Sequence, residues 1–150
     1  MKKILFVCTG NSCRSIMAEA YLNKRIKDDH LDLMVRSAGT LGVEGTSPSI
    51  EVFRILKEDG IDADKYWSKP LAEDLITWAD MILVMGNKHK DIIVSMVPEV
   101  SEKIKFLGEF DETREEPVIE DPIGMSFDFY KESYRGIKRA VEGLIKCLKK

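Results

Sequence analysis

Residues 7 to 15 read VCTGNSCRS, with Cys8 separated from Arg14 by five residues and hydroxyls at Thr9, Ser12 and Ser15. A guanidinium is planar, permanently charged and able to donate paired hydrogen bonds, so Arg14 suits a tetrahedral oxyanion better than a lysine would. A cysteine beside such a cation and near the N–H groups of a helix start sits where the thiolate, the attacking form, is favoured. Ser15 can hydrogen-bond the Cys8 sulfur and stabilise it as a leaving group. Gly10 and Asn11 tolerate left-handed backbone best, which lets Thr9-Gly10-Asn11-Ser12 turn successive N–H groups inward as an anion nest. The chemistry implied is attack by Cys8 on phosphorus or a similar oxyanion centre. The competing reading of Cys8 is a buried core thiol at a strand end.

That chemistry needs a strand to deliver Cys8 and a helix to begin beside it. Lys2 to Cys8 reads as a fully buried strand, because its apolar run leaves no polar face. A helix from Ser15 to Lys27 follows, with Met17, Ala20, Tyr21 and Ile26 facing the sheet. Leu31 to Ser37 predicts a second strand, ended by AGT, and Pro48 opens a helix capped at its C-terminus by Gly60. SKPLAEDLITWA predicts a short helix, DMILVMG a third buried strand, NKHKDIIVSMV a helix stopped at Pro98, and KIKFLGE a fourth strand. REEPVIEDPIG is a loop, and a long helix from Ser126 to Leu148 closes the chain. Strands alternating with helices predict a doubly wound parallel α/β fold in one domain over residues 1 to 150, with ligands bound where strands end and helices begin.

Composition narrows the function further. The net charge of −3 offers no strong cationic field for nucleic acid, so an anionic ligand needs a local site. No apolar run is long enough to span a membrane and no signal-peptide pattern opens the chain, so a cytoplasmic location is expected. The three cysteines, Cys8, Cys13 and Cys147, do not suggest a disulfide framework. Zinc is not expected, since only two of them cluster and neither His30 nor His89 is near them in sequence.

FVCTGNSCRSIMAEA, SAGT at 37 to 40, ADMILVM at 79 to 85 and DPIG at 121 to 124 occur in an order that resembles the low molecular weight protein tyrosine phosphatases, bacterial members in particular. That group includes arginine phosphatases, and arsenate reductases share the scaffold. The resemblance implies a four-stranded parallel sheet flanked by helices, no metal, no cofactor, and a phosphorylated protein as substrate, handled by a monomer or weak dimer. It assigns Cys8 as nucleophile, Arg14 to phosphate, and Asp121 as the acid that protonates the leaving group and then serves as base toward water. An Asp-Pro taken alone is equally a turn. Thr9, Gly10, Asn11, Ser12, Cys13 and Ser15 fall on the phosphate loop, with Ser37 among the residues that hold it in shape. Cys13 matches a redox partner able to form a reversible disulfide with the nucleophile; its alternative is a small side chain packed under the loop.

Several positions depart from the family pattern. Tyr66 stands where a supporting histidine is common, and LGVEGTSP and Ile123 replace aromatic residues that line a phosphotyrosine pocket. Ser12 takes the place of a bulky apolar residue frequent in tyrosine-directed members; arginine phosphatases carry threonine there and arsenate reductases often serine. Trp67 fits either the surface or the pocket rim, and Trp78 fits the core. Tyr130 and Tyr134 are either phosphorylation sites or part-buried helix residues. The function expected is phosphotyrosine hydrolysis through a cysteinyl-phosphate, with phosphoarginine hydrolysis as the alternative. Arsenate reduction is disfavoured because residues 80 to 98 hold no relay cysteines, and a non-catalytic oxyanion-binding module because both nucleophile and acid are present.

Overall fold

The computed structural model describes residues 1–149. Four parallel strands, β1 (Lys2–Cys8), β2 (Leu33–Gly39), β3 (Met81–Val84) and β4 (Ile104–Phe106), form one sheet in the order β2-β1-β3-β4. The helices are α1 (Arg14–Asp29), α2 (Ile50–Glu58), α3 (Glu73–Trp78), α4 (Asn87–Met96) and α5 (Phe127–Leu148). Strand β1 lies on two-sided apolar ground. Ile4 and Phe6 pack with α1, α2 and α5, while Leu5 and Val7 pack with Ile76 of α3 and Ile93 of α4. The chain passes from β1 outward to β2, then returns to the other side of β1 for β3. The reversal of strand order therefore falls between β1 and β3, whose C-terminal ends are the natural place for a ligand.

The expected elements all form, with shifted ends. The second strand runs two residues beyond the expected stop at Ser37, because Ala38 and Gly39 continue in register opposite Val7 and Cys8. Gly39 is a close approach, not a strand breaker. A Cβ there would stand 2.7 Å from the carbonyl oxygen of Thr9. The second helix starts at Ile50 instead of Pro48, since the Ser49 hydroxyl accepts from the Val52 N–H as its cap. Gly60, at φ +73, follows the last turn as expected. The first helix begins at Arg14, one residue early, and ends on left-handed His30. The fourth strand is only Ile104–Phe106, because Leu107–Phe110 tightens into a 3-10 turn that buries Leu107. Ser126 caps the last helix from outside it, accepting from the Phe129 N–H at 3.2 Å.

The 3-10 turn carries the chain into the long loop before α5, and the helix clasps that turn. A Cβ on Gly143 would lie 1.9 Å from the Phe110 carbonyl oxygen, so the helix lies against the turn with no room for a methyl group. Alanine is favoured over glycine in a helix by about 1 kcal/mol. Gly143→Ala should nonetheless destabilise the protein by ~1–3 kcal/mol through overpacking, read as a lower urea midpoint at unchanged slope.

Candidate active site

The backbone places the loop before its side chains do. Strand β1 ends at Cys8, whose carbonyl accepts from the Thr40 N–H at 2.9 Å, as that of Thr9 accepts from Leu41 at 2.9 Å. These bonds extend β1–β2 pairing past the strand ends and occupy the carbonyl side of the turn. Among the described residues, no protein acceptor takes the backbone N–H groups of Gly10, Asn11, Ser12 or Cys13. Helix α1 starts on Cys13 with no side-chain cap, so its first N–H groups add to the same positive end. The arrangement is an anion nest.

Asn11 fixes the shape of the loop. It is a non-glycine residue at φ +53, and it is buried. Its Nδ2 donates to Ser15 Oγ at 2.6 Å and to Ser37 Oγ at 2.9 Å, while its Oδ1 accepts from the Lys69 N–H at 2.8 Å. The Ser37 hydroxyl in turn donates to Glu19 at 2.5 Å. With Asn11 occupying a lone pair of Ser15, the Ser15 hydroxyl proton is free for Cys8 Sγ, 2.8 Å away. The chain of donors thus runs toward the sulfur. Burial pushes the Glu19 carboxyl up, opposed by the Lys69 ammonium at 3.9 Å.

Arg14 is nearly buried and held from two sides. Its Nη1 donates to the Ile119 carbonyl at 2.8 Å and its Nη2 to Thr9 Oγ1 at 3.5 Å, which leaves other N–H groups of the guanidinium without a protein acceptor. Asp121 Oδ2 lies 3.6 Å from Nη2, on a loop pinned by the Ile119 N–H to the Met85 carbonyl at 2.8 Å. Its Oδ1 accepts from the Ile123 N–H at 3.0 Å, an Asx turn that holds the carboxylate ahead of Pro122. Cys8, Gly10, Ser12, Cys13, Arg14, Asp121 and Ile123 together line a narrow recess.

The structure therefore brings together the residues that the sequence singled out. Cys13 lines the same recess, and burial pushes its thiol up, with Ser49 Oγ at 3.7 Å and Tyr130 at 3.9 Å. Both it and Cys8 are free thiols. Tyr66 does not support the loop; its hydroxyl accepts from Asn23 at 3.1 Å, and Lys69 does the supporting through its backbone. Trp67 is half exposed in a groove with Glu19, Arg36 and Lys69, and among the described residues no aromatic side chain lines the recess. Trp78 is part-buried, packed on the second core cluster beneath Arg36. Tyr130 and Tyr134 are each only 4% exposed, and the Tyr134 hydroxyl donates to Asp59 at 2.6 Å, so neither is presented for modification.

His89, set aside in the sequence for its distance from the cysteines, joins the site. It opens α4 just past the end of β3, and its Nδ1 accepts from the Gly86 N–H at 3.0 Å. Nε2 must then carry the proton and donate to Thr9 Oγ1, at 3.0 Å. The available signal was its position, three residues after Gly86 at the reversal of strand order. Glu19 was missed, although it lies one helical turn beyond Ser15.

A profile of the low molecular weight phosphotyrosine protein phosphatase family matches residues 3–150. A protein-arginine-phosphatase of Geobacillus stearothermophilus is 37% identical over 147 residues, covering 97% of this chain and 95% of that protein. The low molecular weight protein-tyrosine-phosphatase PtpB of Staphylococcus epidermidis is 34% identical over 140 residues, covering 93% and 94%. The YwlE arginine phosphatase, solved as a cysteine-to-serine mutant with a phosphorylated active-site serine, superposes with a TM-score of 0.91 at 34% identity, covering 99% and 96%. Fold and recess define a cysteine-type phosphatase. The chain belongs to the low molecular weight phosphotyrosine protein phosphatase family.

His89 makes the site acid-sensitive. Burial, with Arg14 and Lys88 adding repulsion against the attraction of Asp121, holds its imidazole down at about 4 from an ordinary 6.5. Between those values the unfolded chain takes up a proton that the native protein refuses. Stability should therefore fall as pH drops from about 6.5 toward 4, by up to ~3 kcal/mol from this group. Urea unfolding at pH 7 and pH 4.5 should show a larger acid loss in the parent protein than in His89→Gln, which has no such proton to gain.

Proposed function

We propose that the protein hydrolyses phosphotyrosine in protein substrates by a double displacement. The Cys8 thiolate attacks phosphorus in line with the ester oxygen. As the S–P bond forms and the P–O bond breaks, the Asp121 carboxyl gives its proton to the departing oxygen. Arg14 and the N–H groups of residues 10 to 13 carry the equatorial oxygens, whose charge they are arranged to meet. In the second step Asp121 takes a proton from water, which attacks phosphorus and expels Cys8 Sγ. The Ser15 hydroxyl, 2.8 Å from that sulfur, stabilises the departing thiolate.

The observation that carries this reading is the convergence of Cys8, Arg14 and Asp121 on one recess together with four unclaimed backbone N–H groups. The phosphorylated serine in place of the active-site cysteine in the YwlE mutant supports the same nucleophile position here. Once a peroxide has oxidised the Cys8 thiolate to its sulfenic acid, Cys13, in the same recess, is proposed as the thiol that attacks that sulfur and expels water to close a reversible disulfide. The reading extends to a cytoplasmic protein that works as a monomer or weak dimer.

A second reading, phosphoarginine hydrolysis, is favoured by one feature of the recess. Its walls are Ser12 and Ile123, with no ring to stack on a phenyl group. The displacement is the same, with a P–N bond broken and the proton of Asp121 delivered to the guanidino nitrogen.

Cys8→Ser should abolish turnover while still binding inorganic phosphate, and full activity in that variant would remove Cys8 as nucleophile. Asp121→Asn should lose on the order of 10²- to 10⁴-fold in kcat on a substrate with a poor leaving group. An unchanged rate would place the acid elsewhere. Comparing kcat/KM on a phosphotyrosine peptide and a phosphoarginine protein decides between the two substrates. Activity on neither overturns both readings.

A further inference from the structure

Arg14 must meet a phosphate in one orientation, yet its contact with Thr9 joins two flexible partners. A threonine hydroxyl rotates freely unless something fixes it. Here something does. Thr9 Oγ1 stands between two donors, His89 Nε2 at 3.0 Å and Arg14 Nη2 at 3.5 Å. His89 is itself fixed, 4% exposed, with Nδ1 taken by the Gly86 N–H at 3.0 Å. Of the imidazole's two nitrogens, only Nε2 is left to donate, and its one acceptor among the described residues is Thr9.

We propose that His89 is a positioning residue for phosphate binding, acting on Arg14 through Thr9, and that the relay Gly86–His89–Thr9–Arg14 ties the guanidinium to the end of β3. The proposal rests on the reading of Arg14 as the phosphate ligand. With both lone pairs of Thr9 Oγ1 directed at donors, its own O–H is the remaining free group, and Thr9 is exposed at the mouth of the site. The imidazole acts here as a neutral hydrogen-bonding strut. Protonating it would set an N–H against the Gly86 N–H and add a second cation beside Arg14, so the relay works only in the neutral form. The Ile119 carbonyl grips Nη1 from the acid loop, and the relay grips Nη2 from the sheet. Removing the relay leaves the guanidinium held from one side only.

The test is a double-mutant cycle on phosphate affinity, measured by calorimetric titration of inorganic phosphate into the Cys8→Ser protein. Thr9→Val changes an exposed side chain and is expected to fold. It and His89→Ala should each weaken phosphate binding about three- to tenfold, the usual worth of one such hydrogen bond. The double variant should be no weaker than either single one, and His89→Gln, with an acceptor for Gly86 and a donor for Thr9, should restore most of the affinity. Independent, multiplying losses would overturn the relay, as would unchanged affinity in Thr9→Val or a His89→Gln no better than His89→Ala. If the Cys8→Ser protein bound no phosphate, the proposed function would fall with it; intact binding that the variants leave unmoved would sink the relay alone.

Discussion

The left-handed backbone of Asn11 is the constraint on which the site depends. A residue with a Cβ adopts φ +53 only when its surroundings reward it, and here every polar group of the side chain is bonded. The reward is drawn from three elements at once: Ser15 on α1, Ser37 on β2 and Lys69 on the segment leading to α3. Without that turn the N–H groups of residues 10 to 13 would not gather on one side, and Ser15 would have no fixed proton to offer Cys8. The N–H cradle and the Cys8 thiol are thus set by one side-chain amide, itself supported by a buried carboxylate.

The sheet explains why these groups can be brought together. Parallel strands send all their C-terminal ends to one edge, and the order β2-β1-β3-β4 parts the connections at β1 and β3. Cys8 ends one of those strands and the Gly86–His89 turn follows the other. Gly39 lets β2 lie against the loop, where any side chain would strike the Thr9 carbonyl. The two apolar layers on either face of β1 fix the strand so that this edge does not shift. Packing supplies rigidity, and the loops spend it.

What the sequence made legible was local. Cys8, Arg14 and the flexible pair Gly10-Asn11 sit within a few positions of one another, so their spacing already described a loop. Asp121 could be assigned only through its Asp-Pro, because nothing in linear order says that a residue more than a hundred positions on returns to Arg14. His89 was invisible for the same reason, and its distance in sequence from Cys8 argued against a shared site that the fold then created. Tyr66 and Trp67 show the converse. Tyr66 stands where a supporting histidine is common and Trp67 fitted either surface or pocket rim, and the fold turns both to the groove beside Glu19. Strand and helix ends shifted by one to five residues, and at Gly39 and Ser49 the shift came from a residue serving as contact or cap, roles that composition alone does not separate from breaking.

The single peptide group of Ile119 ties two parts of the site together. Its N–H is bound to the end of β3 and its carbonyl to Arg14, so the loop bearing Asp121 is moored to the guanidinium that lines the recess. Occupancy of one and order of the other are therefore linked equilibria, and linkage is reciprocal. On the proposed function, an anion that stiffens Arg14 also steadies the segment carrying Asp121. Under that same reading, the ligands that order the Asp121 segment are those that reach Arg14 at the bottom of the recess.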